Sequence, residues 1–407
     1  MKRFVGRLLF SLAAVLVLAV ALAACGGSSS SDSGATTAAE GTESSSGSGA
    51  QAAGIKEAGE TFDSLLAPPE LKLVGEKFDA KKSAGKTVYY INTDDSIPIT
   101  TIWREVAIEQ LERYGVHVVS LDGKGSTTEY NKDMNTAISR GADAIFTMAV
   151  NPPLISQQIK AAKAAGIPVI TGAEGLPNVK ETATYVEGVT AGVSYDYHEV
   201  GKVEADWVAA DSKGSAHVLF ISNEDQPSSK YVVAEFEKEL SRTCPDCTVE
   251  FKDVPAAQVT TTLPTLVQTS LQRDPEINYV VPGYDFNVPE IETGLRQAGL
   301  TDRVRIGSWN AVPAVMQSLQ NKQSPMSMEL GAPNNWFSFA IADTVMRTLS
   351  GVEPVVWGTE ESAFMGFRAF DKESVEGLDV SEYDDAEFYE LPDSKVQAAF
   401  EGLWGKP

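Results

Sequence analysis

Between Thr87 and Ser350 the chain alternates short apolar runs with longer stretches in which apolar residues return every three or four positions. Thr87–Ile91 is β-rich. Ile99–Tyr114 then carries an apolar stripe (Ile102, Val106, Ile108, Leu111) and stops at Gly115, a helix-exit signal. The pattern predicts a strand at Val116–Leu121, a helix at Tyr130–Arg140 ended by Gly141, and a strand at Ala144–Met148. A helix at Pro153–Ala165, ended by Gly166, and a strand at Val169–Thr171 follow. It resumes after Asp196 with a helix to Ala210. Strands at Ala216–Ile221, Val249–Phe251, Tyr279–Pro282, Arg305–Gly307 and Met326–Leu330 then interleave with helices at Tyr231–Leu240, Leu263–Arg273, Val288–Ala298, Pro313–Gln320 and Trp336–Ser350. Strand–helix alternation of this kind predicts an α/β fold with two doubly wound, Rossmann-like parallel-sheet lobes. The roughly 320 residues from 86 onward are enough for two lobes rather than one core.

The first 85 residues read differently. Lys2, Arg3 and Arg7 precede an apolar run from Leu8 to Ala24, and Leu22-Ala23-Ala24 is followed by Cys25. A basic start, a short apolar core and small residues before a cut form an export signal, here 1–24. The run is short for a membrane span. The Cys after the small pair resembles the lipobox of bacterial lipoproteins, which implies that the mature chain begins at Cys25 and carries acyl chains there. Several chains, at ~0.8 kcal/mol per buried CH2, make a stable anchor. The alternative is a plain secretory signal. Residues 25–85 read as a tether: Gly26–Gly59 is Ser, Gly, Ala and Thr with scattered Glu, too poor in large apolar side chains to offset the ordering of its backbone.

Export changes the reading of the other two cysteines, Cys244 and Cys247. Outside the cytoplasm a Cys-Pro-Asp-Cys between a helix and a strand reads as a small-loop disulfide. A redox motif of this spacing needs the first Cys at a helix start. A zinc site needs two further ligands, and His117, His198 and His217 are not suitably spaced. Formal charge is −23, and loss of Lys2, Arg3 and Arg7 with the signal takes it to −26. Such a body is repelled by phosphate backbones, which argues against nucleic-acid partners. There is no Gly-x-Ser-x-Gly elbow, phosphate loop or metal-spaced His cluster, so neither an enzyme nor a cofactor is implied.

Several segments together carry a family resemblance: Ile97-Pro98-Ile99 after the first strand, Ser120-Leu121-Asp122, Arg140–Ile145, Val150-Asn151-Pro152, Ile159–Ile170, and Ser194-Tyr195-Asp196 followed by Gly201. Over 86–352 the chain resembles the type I periplasmic binding proteins, in particular the ribose-binding-like sugar group of ABC importers. Phe400–Gly405 resembles relatives with a long C-terminal extension. The resemblance implies a hinge of three crossings, with lobe one at 86–195 plus 333–352 and lobe two at 196–332. A last crossing and extension occupy 353–407. It implies a monomeric, lipid-anchored substrate-binding protein outside the cytoplasm, which captures a neutral, sugar-like solute and delivers it to a membrane permease. A receptor serving a sensor kinase, or a binder of a non-sugar solute such as a nucleoside, is the alternative.

In open parallel sheets, ligands bind beyond the carboxyl ends of the strands. There the chain is rich in groups that could hydrogen-bond a polyol. The expected ligand contacts are Asp94, Asp95, Ile99, Thr100, Asn151, Glu174, Asp196, Asn223, Tyr284, Asp285, Trp309 and Asn310, with Asp122 and Gln226 also at strand ends. Trp309, Tyr284, Trp103 and Trp336 could supply a flat wall for a ring's C–H face. Each has a structural rival. Asp196 with Glu199 reads as a capping box, Asp94 and Asp95 as loop caps, Asp122 as a turn residue and Trp103 as core. The chain also departs from the family. Val232 stands where relatives have a sugar-binding Arg, Tyr197 replaces an Asn, and the acid closing the fourth strand has moved to Glu174.

Overall fold

The computed structural model describes residues 44–407 apart from 176–179, 181–184, 227 and 359–364. The expected signal, Cys25 and the first part of the tether lie outside the described residues. The first sheet is built from β1 (Thr87–Asn92), β2 (His117–Asp122), β3 (Ala144–Met148), β4 (Val169–Gly172) and β5 (Val189–Val193). Its order is β2-β1-β3-β4-β5, all parallel. The helices α2 (Pro98–Arg113), α3 (Thr127–Ser139) and α4 (Ser156–Ala164) connect it, and α1 (Ser44–Ser64) precedes it. Buried apolar runs such as Ala144–Met148 sit centrally, whereas the edge strand β2 is largely exposed.

After β5 the chain enters lobe two through α5 (Tyr197–Asp211). There β6 (His217–Ser222), β7 (Thr248–Asp253), β8 (Tyr279–Pro282), β9 (Arg305–Trp309) and β10 (Met326–Gly331) form the second sheet. The connecting helices are α6 (Ser229–Thr243), α7 (Val259–Arg273), α8 (Val288–Ala298) and α9 (Pro313–Gln320). The chain then returns through α10 (Asn334–Ser350), which packs on α2 and β5 of lobe one. A third crossing, 351–367, leads to β11 (Arg368–Asp371), antiparallel to β10 at the edge of an order β11-β10-β9-β8-β6-β7. Finally α11 (Asp385–Tyr389) and α12 (Asp393–Trp404) lead back to lobe one, where α12 packs on α10.

Three expectations need correction. The tether does not extend to residue 85, because Ser44–Ser64 is helical. Ala58 and Phe62 are buried, Gln51 donates to the Gly214 carbonyl at 3.3 Å, and Arg242 pairs with Glu57 at 3.0 Å. The small residues that read as linker permit this: a Cβ on Gly54 would lie 2.7 Å from the Thr243 carbonyl. Residues 65–79 then run from lobe two, where Ala369 N–H donates to the Leu65 carbonyl, to lobe one, where Phe78 N–H donates to Leu403. Together with the passage after β11, this makes five chain passages between the lobes among the described residues, not three. Thirdly, α2 buries Thr100, Trp103, Ala107, Gln110 and Leu111, while Ile102, Val106 and Ile108 are only half-buried. The helix is rotated so that Trp103 can donate to Asn334 at the start of α10, at 2.7 Å.

One buried charge pair ties these outlying segments together. Arg347 Nε and Asp343 Oδ2 on α10 are 2.7 Å apart and 1% and 0% exposed. Trp404 of α12 donates to the other Asp343 oxygen at 2.7 Å, and Arg347 lies over the Phe78 ring at 4.5 Å. In lobe two, Cys244 at the exit of α6 is paired with Cys247 before β7, their Cα atoms 5.3 Å apart, a separation a disulfide can span.

Candidate ligand-binding site

A cavity of about 370 Å³ opens between the lobes at the carboxyl ends of strands from both sheets. That size suits a small solute. From lobe one, the exit of β1 and start of α2 bring Thr93, Ser96, Ile97, Pro98, Ile99, Thr100 and Trp103; the exits of β3 and β4 bring Ala149, Ala173 and Glu174. From lobe two come Tyr197 at the start of α5, Gln226 and Ser228 after β6, Ala256 after β7, Tyr284 and Phe286 after β8, and Trp309 and Asn310 at the end of β9. Ala149, Ala173 and Asn310 have positive φ (50°, 62° and 127°), so several strand exits turn sharply as they meet the cavity.

The walls are aromatic and their polar tips are mostly engaged. Tyr284 and Phe286 stack at 5.6 Å and 18°, and Trp309 lies 5.4 Å from Tyr284 and 5.6 Å from Tyr197. Trp309 donates to the Gly283 carbonyl at 2.7 Å and Tyr197 to the Ala173 carbonyl at 3.1 Å, the latter across the two lobes. The Tyr284 and Ser228 hydroxyls are 2.5 Å apart. Ile97 and Phe286, one from each lobe, are large apolar side chains left 39% and 43% exposed.

Glu174 is the exception. It is 2% exposed, and its Oε2 has no hydrogen-bond partner. Burial alone pushes its carboxyl well above the usual carboxylate range. Burial also lifts Asp285 to about 7, against hydrogen bonds from the Val312 N–H and Asn310. Among the described residues no group of His, Cys, Asp and Glu is arranged to hold a metal ion.

Of the expected contacts, Ile99, Thr100, Glu174, Tyr284, Trp309 and Asn310 line the cavity, as does the wall residue Trp103. The other six do not. Asp94 accepts from Ser96 N–H at 2.8 Å, closing its own turn. Asp95 binds Arg104 and accepts from Asn92 at 2.8 Å, and Asp122 accepts from Asp95 N–H. Asp196 caps α5 by accepting from His198 and Glu199 N–H. Asn223 donates to the Val254 carbonyl and accepts from Asn287, bracing two loops. Asn151 opens a 3-10 turn behind the wall. Asp285 acts one residue away, accepting from Asn310 at 3.3 Å and Val312 N–H at 3.0 Å. Short acids at strand ends have backbone N–H groups within reach, and those claim them first. Trp336 is wholly buried in α10 and takes no part, and Val232 is core on α6. Phe286, Ser228, Ala149, Ala173 and Ala256 were not anticipated. An aromatic two positions after Tyr284 at a strand exit was the available signal for Phe286; the alanines carried none.

A model of the periplasmic binding protein domain matches residues 88–339. Among solved structures, an ABC transporter solute-binding protein from Agrobacterium vitis with bound allitol superposes with a TM-score of 0.62 at 18% identity, covering 72% of this chain and 98% of that one. One from Bacillus halodurans with bound myo-inositol gives 0.62 at 16%, covering 72% and 97%. One from Mycobacterium smegmatis with bound glycerol gives 0.60 at 17%, covering 72% and 96%. No curated protein sequence matches the chain.

Proposed function

The chain belongs to the periplasmic binding protein domain family, and from that premise we propose that it is the solute-capturing component of an ABC importer. In this reading, lipid on Cys25 holds it to a membrane outside the cytoplasm, and it passes a small sugar-like solute to a permease without transforming it. The observation that carries the reading is a single cavity bounded by strand exits of both sheets, so that a ligand touching one lobe also touches the other. Binding then favours the closed arrangement by the ligand's differential affinity for it, which is what a permease can recognise. Tyr284 and Trp309 offer flat faces to a ring's C–H surface, while Glu174, Gln226 and Asn310 offer groups for hydroxyls. The polyols held by the relatives make sugars and polyols the first class to try.

A thermal-shift screen of sugars, polyols, amino sugars, nucleosides and amino acids tests this directly. A true ligand at 100 times its dissociation constant adds about 2.7 kcal/mol to stability. Calorimetry on Tyr284→Ala and Ile97→Ser, one from each lobe, should then show weaker binding in both folded variants. A screen in which nothing shifts the melt, or a ligand bound equally by both variants and the parent, would overturn the proposal.

A further inference from the structure

We propose that the solute carries a protonated amine, boxed by the rings of Tyr197, Tyr284, Trp309 and Phe286 with an N–H aimed at Glu174. This rests on the cavity being the binding site, and it deepens that reading to a class of substrate.

Three independent features of the cavity converge on a cation. No Lys, Arg or His is among the described residues that line it, so no fixed positive charge answers its acid. The four rings come from three separate strand exits and helix starts and line one volume, and aromatic faces attract an ammonium more than a neutral group. Thirdly, Glu174 is 2% exposed with Oε2 unpartnered, although nearly every buried polar atom in a native protein has a partner. A donor brought by the ligand would supply that partner.

The surroundings reinforce the sign. The titratable groups that feel Glu174 are Tyr130, Tyr197 and Tyr284, all pushed up by burial and uncharged at neutral pH. Behind the lobe-two wall, burial also pushes up Glu329 and Glu204. Three helix starts face the cavity with partial positive charge; Asp196 takes the first N–H groups of α5, and Asp94 and Asp95 lie in the turn before α2, while α6 behind Ser228 has no acid in its first turn. An ammonium beside the Glu174 carboxyl would favour its ionised form, opposing the upward push of burial, so binding would release protons to the buffer.

Matched pairs differing only in the amine test this on the intact protein: D-glucose with D-glucosamine, cyclohexanol with cyclohexylamine, and benzyl alcohol with benzylamine. Within at least one pair the amine should bind at least tenfold tighter at pH 7.5. Calorimetry in two buffers of different ionisation enthalpy should show release of a proton. Glu174→Gln keeps the shape of the side chain and places no charge in the buried wall, so its melting temperature should hold. It should weaken the amine by about thirtyfold or more, the scale for losing one partner of a buried charge pair, and cost the alcohols, which exchange one neutral hydrogen bond for another, less than about tenfold. Alcohols that match or beat every amine, or amine binding that neither releases a proton nor responds to Glu174→Gln, would overturn the inference while leaving the cavity as a binding site. Failure of all six compounds to bind also counts against it. The binding function itself falls only if the wider screen is silent too.

Discussion

Asp343→Ala is the sharpest test of how the outlying segments are held. Asp343 and Arg347 are 0% and 1% exposed and 2.7 Å apart, so removing the carboxylate strands a guanidinium where water cannot reach it. Trp404 loses its acceptor at the same time, freeing the end of α12. Removing one partner of a buried pair costs ~3–5 kcal/mol, and an orphaned donor ~1–3 kcal/mol, partly the same loss counted again. We expect about 4 kcal/mol, read as a lower denaturant midpoint in equilibrium unfolding followed by tryptophan fluorescence. The pair itself is not the source of that figure. Burial raises the Asp343 carboxyl even though Arg347 and Trp404 pull it down, so desolvation outweighs attraction. The double variant Asp343→Leu with Arg347→Met should therefore recover most of the loss and lie within about 1 kcal/mol of the parent, or above it. A single variant costing less than 1 kcal/mol, or a double variant worse than the single, would refute the reasoning.

Other outcomes follow from single contacts. Gly201→Ala on α5 would put a Cβ 2.2 Å from the Val232 carbonyl and 3.0 Å from Phe236 N of α6; overpacking at ~1–3 kcal/mol should exceed the ~1 kcal/mol gained in helix propensity, and an unchanged or higher denaturant midpoint would contradict the helix pairing. Asp385 caps α10 through Asn334 and Asn335 N–H, and burial lifts it to about 7. Its contribution to stability is therefore full below about pH 4, the unfolded value, and is lost as pH rises through 7; Asp385→Asn should remove that decline, and parallel stability–pH curves for the two proteins would rule it out. Cys25→Ser should abolish partitioning into detergent, and equal partitioning of mutant and parent would end the anchor proposal. Alkylation of native protein without reductant should leave Cys244 and Cys247 unlabelled in mass spectra, whereas stoichiometric labelling of both would exclude the disulfide.

The sequence by itself determined the α/β alternation, the parallel lobes and most element boundaries, because buried strands read as unbroken apolar runs and helices exit at residues such as Gly115 and Gly141. It also pointed to the large aromatic groups Tyr284 and Trp309, since big rings at strand ends have few other roles. β5 and β11 escaped notice: one is Val-Thr-Ala-Gly-Val and the other four residues long, and neither can be told from loop without a neighbour to pair with. Helix α1 escaped for a related reason, since Gly and Ala look like tether until a close-packed lobe surface gives them something to touch. The site divides along the same line. Which acids line the cavity and which cap a turn depends on whether a backbone N–H lies within reach, and Asp94, Asp122, Asp196 and Asp285 each found one. Of the acids expected at the site, Glu174 is the one left buried with an oxygen unpartnered. Local pattern records what a residue prefers, but the partner that satisfies it comes from chain far away in sequence, and that only the tertiary structure decided.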